Sequence, residues 1–244
     1  MSRGGLFPST RRSVLEAVRA GEAPERSSAL DLLIVLYWRP AYKFIRRKWG
    51  ASAEDAADLT QGFFTRALEK PFFERFDPEK GSFRNFLRLG LDGFVANERK
   101  AASRQKRDPG RAILSLDFAE AEGELARTPV PESESMEEVF QKEWTRELFS
   151  LAVSDLEEEC RTRGRLAAFQ IFERYDLECQ GHDPSLSYAS LARELGLSAT
   201  VVTNALAFAR REFRRLLLAR LRDLCGSEEE FRREARELLG GSAT

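Results

Sequence analysis

The sequence predicts an all-α protein: two helical domains joined by an acidic flexible linker, the second carrying a helix-turn-helix. Three observations predict it. Apolar residues recur at three- and four-residue intervals along most of the chain, alternating strand patterns are nearly absent, and Ser, Pro and Gly stand where helices begin and end. At 244 residues the chain is long enough for two cores, since domains commonly run to about 100–150 residues.

Residues 1–25 form an N-terminal extension in which Val14, Leu15 and Val18 mark a short helix closed by Gly21. The first domain, 26–111, opens on a long helix from Ala29 to Trp49 that Pro40 is expected to kink. Ser52-Ala-Glu-Asp55 has the form of a capping box with Asp in place of Glu, and starts a helix with Leu59, Phe63 and Ala67 on one face. Phe76-Asp-Pro-Glu-Lys-Gly81 carries turn chemistry, Pro78 fixing φ and Gly81 permitting a positive φ, and Ser82 can cap the next helix. In that helix Phe83, Phe86, Leu87, Gly90, Leu91 and Phe94 make one apolar face. Arg84, Arg88 and Arg99 cluster on another, within about 60° of one another at 100° per residue.

The net charge of −1 hides strong segregation. Between Arg84 and Arg111 eight basic residues, among them Lys100, Arg104, Lys106 and Arg107, stand against three acids. With Phe72, Phe73, Phe76 and Phe83 nearby, these cations suit phosphates and unstacked bases; a solvated charged face is the alternative. Between Asp117 and Glu138 the balance inverts, with eight acids against Arg127 alone and Pro129 and Pro131 interrupting any helix. Poor in apolar residues, 112–138 is expected to be a mobile linker.

In the second domain, 139–220, Trp144, Leu148, Leu151 and Ala152 mark one helix and Leu166, Phe169, Ile171 and Phe172 another. Ser187 to Gly196 is a short capped helix, and Leu197 and Ser198 lead into a longer one from Ala199 to about Arg215. This is helix-turn-helix spacing: small Ala192 at the crossing, Gly196 at the turn, Val202 and Ala205 packing back. A plain helical hairpin is the alternative. Thr200, Thr203, Asn204 and Ala207 would face outward, followed by Arg210, Arg211, Arg214 and Arg215. Residues 221–244 form a C-terminal helical extension with Phe231, Ala235, Leu238 and Leu239 at helical spacing. It is expected either to pack on its own domain or to present a partner surface.

Several classes are excluded. With His182 the only histidine and no GxSxG, Walker loop or GxGxxG, an enzyme is not expected. Cys160, Cys179 and Cys225 are odd in number and widely spaced, giving neither a disulfide framework nor, with His182, a convincing zinc site. No cofactor or metal is expected. The longest apolar run, Leu32 to Trp38, is far short of the roughly 20 residues that span a membrane, and no secretory signal is visible. A cytoplasmic location is expected.

Asp55-Ala-Ala-Asp58-Leu-Thr-Gln61, the Phe-Arg-Asn-Phe-Leu run at 83–87 and the C-terminal helix-turn-helix occur in an order that resembles bacterial RNA polymerase sigma factors of the extracytoplasmic-function type. The resemblance covers about residues 26–111 and 143–220. It implies that Asp55, Asp58, Leu59 and Gln61 dock on the β′ coiled coil of core RNA polymerase. Phe83, Arg84, Arg88 and Asn97 would lie on the promoter-melting helix, with Arg99, Lys100 and Arg104 as further DNA contacts, and the Phe73–Gly81 loop would capture a flipped base. The second domain would read promoter DNA through Thr200, Thr203, Asn204, Arg210 and Arg211. A stand-alone helix-turn-helix regulator, and a helical interaction protein that has lost DNA binding, are the other readings.

The chain departs from the family pattern at Ala57, where Glu is usual, and at Thr60, where an aliphatic residue is common. Phosphorylation of Thr60 would add about −1.5 to −2 charge beside Asp58 and restore the acidic face, making Thr60 a candidate phosphorylation site; a buried or capping threonine is the alternative. A Ser/Thr kinase or an anti-sigma protein would then join polymerase and promoter DNA as partners. In the second domain Ala205, Ala207 and Phe208 stand where the family favours basic or His residues.

Overall fold

The computed structural model describes residues 14–102, 116–127, 133–178 and 187–240. Every regular element among them is helical, as the periodicity requires, and none is long and apolar enough to cross a membrane. The chain divides into two compact units, Met1–Glu147 with Leu221–Thr244, and Leu148–Arg220.

The first unit begins with α1 (Val14–Ala20) and α2 (Ala23–Trp49). α2 starts earlier than its apolar periodicity suggests because Pro24 lies in its first turn, where a missing N–H costs nothing. It runs through Pro40 without a break and closes on Gly50 at φ 55°. Leu33, Leu36, Tyr37, Phe44 and Ile45 are buried along it. α3 (Ala53–Glu69) starts where expected: the Ser52 hydroxyl accepts from the Asp55 N–H at 3.1 Å, and Phe63 and Phe64 enter the core. Two single 3₁₀ turns, Phe73–Arg75 and Pro78–Lys80, lead to α4 (Phe83–Ala102), which Ser82 caps through the Asn85 N–H. α4 buries Phe83, Leu87, Leu91 and Val95, one residue per turn. Phe76 meets Phe83 edge-on at 5.2 Å, and Phe72 stacks on Phe86 at 4.9 Å.

The acidic segment expected as a mobile linker instead contains a helix, α5 (Phe118–Arg127). It packs on α2. Phe118 lies edge-on to Trp38 at 5.4 Å and tilted on Tyr42 at 5.1 Å. Glu124 bonds Arg39 at 2.7 Å and Lys43 at 2.5 Å, Glu122 takes Arg46 and the Tyr42 hydroxyl, and Glu120 takes Arg39. The glutamates that make this segment read as soluble coil are counter-charges for α2. Pro129 and Pro131 lie outside the described residues.

α6 (Met136–Thr162) starts in the first unit, burying Val139, Phe140, Glu143 and Trp144, and continues into the second. There α7 (Leu166–Phe172) runs on as a π-helical stretch, Glu173–Glu178. α8 (Tyr188–Glu194) and α9 (Ala199–Asp223) come next. Leu156, Phe169, Phe172, Leu191, Val202 and Leu206 belong to one core. Asp155 on α6 receives Arg220 of α9 through two bonds of 2.6 and 2.7 Å. From Leu221 the chain belongs again to the first unit, where Leu224 and Cys225 are buried and α10 (Glu228–Leu238) packs. The C-terminal extension thus joins the first unit and not the domain that precedes it in sequence.

Candidate nucleic-acid interface

Along α4 the cations fall into two groups. Toward its C-terminal end Asn97, Arg99 and Lys100 are exposed, with the Arg99 guanidinium 5.0 Å from the Trp49 ring. Toward its N-terminal end the expected open basic face is covered. Arg84 Nη1 donates to Glu234 Oε2 of α10 at 2.8 Å, its guanidinium lies 4.5 Å from the Trp144 ring, and only 13% of its side chain is exposed. Arg88 donates to Asn85 Oδ1 at 2.8 Å and lies 3.3 Å from Glu137, with 14% exposed. Periodicity puts both arginines off the apolar face of α4, but distant acids have claimed that side. Arg104, Lys106 and Arg107 lie outside the described residues.

The aromatic residues expected beside these cations are mostly core. Phe73, Phe76 and Phe83 are buried, so their rings stabilise the fold and do not face a ligand. Phe72 is half-buried, its ring filling the space over Gly90, where a Cβ would lie 2.5 Å from it.

On α3 the expected docking residues separate. Asp55 and Asp58 are exposed and Gln61 is half-buried, whereas Leu59 is buried in the apolar face and is a packing residue. Thr60 is fully buried, its hydroxyl donating to the Ala56 carbonyl at 2.7 Å. A hydroxyl turned into the core and bonded to its own helix is not open to a kinase, so the phosphorylation expectation is corrected. The helical phase places Thr60 next to Leu59 on the inner side.

In the second unit the α8–α9 geometry follows the expected punctuation. Ser187 and Ser190 form a reciprocal capping box, Gly196 takes φ 65°, and the Ser198 hydroxyl accepts from the Val201 N–H. Ala192 and Val202 are buried where the helices pack, leaving Thr200, Thr203, Asn204 and Ala207 exposed on one side of α9. Thr203 donates its hydroxyl to the Ala199 carbonyl at 2.9 Å, so outward it offers its methyl and lone pairs. Arg211 continues that side with 70% of its side chain exposed. Arg210 is committed differently: it donates to both Asp176 oxygens at 2.7 and 2.8 Å and to the Tyr188 hydroxyl at 3.0 Å. It ties α9 to α8 and to the stretch before it.

Among the described residues no group of three or more His, Cys, Asp or Glu could hold a metal ion; Cys179 and His182 lie outside them. Cys160 and Cys225 are buried free thiols, both raised chiefly by burial, Cys225 to about 12. No protein-family model, curated protein or solved structure matches the chain.

The acids that organise the α4 region, Glu137, Glu230 and Glu234, do not stand out in the sequence. Glu230 and Glu234 are four residues apart, on one side of a helix. That spacing is the one signal available, and the predominance of Arg and Glu in the segment hides it.

Proposed function

We propose that this chain is a sigma-type promoter-specificity factor, acting in the cytoplasm without catalysis of its own, that binds core RNA polymerase and directs it to promoter DNA. The observation that carries the reading is the α8–turn–α9 pair. Read as a helix-turn-helix, it offers a side of Thr200, Thr203, Asn204 and Ala207 of a size and polarity suited to base edges, with Arg211 beyond it for a phosphate. In the first unit, exposed Asp55 and Asp58 on α3 supply an acidic patch for polymerase, and Asn97, Arg99 and Lys100 on α4 supply groups for the DNA backbone. The reading assigns polymerase docking to Asp55, Asp58 and half-buried Gln61, because Leu59 is committed to the core.

The deciding experiment is retention of core RNA polymerase by the wild-type chain and by Asp58→Arg, paired with run-off transcription from a promoter library. Retention by the wild type, lost in Asp58→Arg, supports the reading. DNA binding with no retention by either protein replaces it with a stand-alone helix-turn-helix regulator. Absence of both activities leaves a helical interaction protein.

A further inference from the structure

We infer that α10 is an intramolecular competitor for nucleic-acid phosphate: its carboxylates occupy the N-terminal basic face of α4, and α10 must leave before a phosphodiester backbone can bind there. The inference rests on the reading of α4 as a nucleic-acid face.

What α10 buries is the first ground for it. A helix docked for stability buries an apolar stripe. The buried residues of α10 are Glu230, Glu234 and Ala235, while Phe231 and Leu238 are only half-buried. Two carboxylates at i and i+4, with Ala235 beside them, therefore form the most deeply buried part of the docking surface.

Their partners are the second ground. Glu234 Oε2 receives the Arg84 guanidinium at 2.8 Å, and Glu230 Oε1 accepts the Phe83 N–H at 3.3 Å in the first turn of α4. Anionic oxygens bonded to an arginine and to a helix N-terminal amide are what a phosphate would present at the same place. The second oxygen of Glu230 accepts the Gly226 N–H at 2.7 Å, fixing the start of α10. Gly226 itself lies so close to the turn before α4 that a Cβ on it would be 2.6 Å from Pro78. Beside these contacts runs a cleft lined by Arg84, Arg88 and Glu137 and bordered by Arg233, Glu234 and Glu237 of α10.

The energetics fit a contact that exchanges. Desolvating an ion pair offsets most of the attraction it gains, so a helix held by buried carboxylates is held weakly for the surface it covers. A nucleic-acid strand would give Arg84 an equivalent anionic partner and release counterions, while Arg88 stays with Asn85 and with Glu137 of α6. α10 carries basic as well as acidic residues: Arg232 pairs with Glu228 at 3.4 Å and Arg236 donates to the Arg232 carbonyl at 3.2 Å, whereas Arg233 lies 3.7 Å from the second oxygen of Glu234 and shares that carboxylate with Arg84.

The test uses the full chain and two measurements. Binding of a fluorescein-labelled promoter duplex and of its single strands is followed by anisotropy for wild type, Glu234→Gln and the double variant Arg84→Ala/Glu234→Gln. Glu234→Gln keeps the shape of the contact but removes its charge. It is expected to bind about tenfold tighter, equivalent to about 1.4 kcal/mol, and Arg84→Ala is expected to erase the gain. In parallel, hydrogen exchange of 228–238 in the wild type is expected to accelerate when DNA is added. DNA binding with unchanged or weaker affinity in a folded Glu234→Gln overturns the competition while leaving the α4 reading in place. Should Glu234→Gln fail to fold, the wild-type exchange decides: α10 remaining protected while α4 gains protection overturns the inference. If no variant binds DNA under any salt condition, the nucleic-acid reading falls and the competition with it.

Discussion

Lys43 Nζ lies 2.5 Å from Glu143 Oε2 and 2.5 Å from Glu124 Oε2, with 1% of the lysine side chain and 4% of that of Glu143 exposed. This joins α2, α5 and α6 through one ammonium group. Removing one partner of a buried pair leaves an uncompensated charge, which costs about 3–5 kcal/mol, whereas replacing both with apolar groups is often nearly neutral. Lys43→Met is expected at the lower end of that range, because Arg146 still reaches Glu143 at 2.9 Å. Lys43→Met/Glu143→Leu is expected to recover most of the loss. Urea unfolding followed by tryptophan fluorescence measures it, since Trp38, Trp49 and Trp144 all belong to the first unit. An unshifted midpoint in Lys43→Met would remove the pair from any structural role.

Glu147 lies beside the same cluster, and burial pushes its carboxyl from the ordinary 4.5 up to about 7, with Glu124 and Glu143 raising it further and Arg39 and Lys43 opposing. Between about pH 4.5 and 7 the folded chain holds a proton that the unfolded chain has released. Stability from this group therefore falls as pH rises through that window, with a penalty above it of at most roughly 3 kcal/mol. Glu147→Gln is free of that penalty. Its melting temperature should exceed the wild type's at pH 8 and converge with it at pH 5. A difference independent of pH would show that Glu147 does not titrate in the window.

Local signals make the helices legible and leave their partners hidden. Ser52, Ser82, Ser187 and Ser198 read as caps because capping is settled within three residues, and Gly196 reads as a turn because its φ is a local property. α5 escapes a sequence reading because its glutamates are explained by Arg39, Lys43 and Arg46, cations 76 to 85 positions earlier. The cover over Arg84 escapes it for the same reason: Glu234 lies 150 positions away. Periodicity reports which side of a helix is polar. Whether water or a distant carboxylate meets that side is decided by tertiary pairing.

On α9, neighbouring residues should separate by function. If the α8–α9 pair reads DNA, Asn204→Ala should cost about 1–3 kcal/mol at one base pair and relax preference there. Arg211→Ala should weaken all sequences alike and reduce the salt slope by about one. Arg210→Ala should instead lower the melting temperature of the second unit, because its guanidinium is held by Asp176 and Tyr188. Binding isotherms on a panel of single-base variants, at two or more salt concentrations, distinguish these. Equal loss of DNA binding in all three without any change in melting would contradict the structural role given to Arg210.

Thr60 allows a sharp opposition between an acidic switch and a core position. Its hydroxyl is bonded to the Ala56 carbonyl at 2.7 Å and has no exposure to solvent. An aspartate there would bury a carboxylate on the inner side of α3, which also carries Leu59 and Phe63, at a cost of several kcal/mol. Valine keeps the shape and loses one back-bond to the helix, a change of about 1 kcal/mol or less. Thr60→Asp is therefore expected to shift the urea midpoint of the first unit strongly downward and Thr60→Val slightly, with polymerase retention following stability. Were Thr60→Asp as stable as the wild type and better retained, the side chain would have to reach solvent, and the packing of α3 against the core would need to be redrawn.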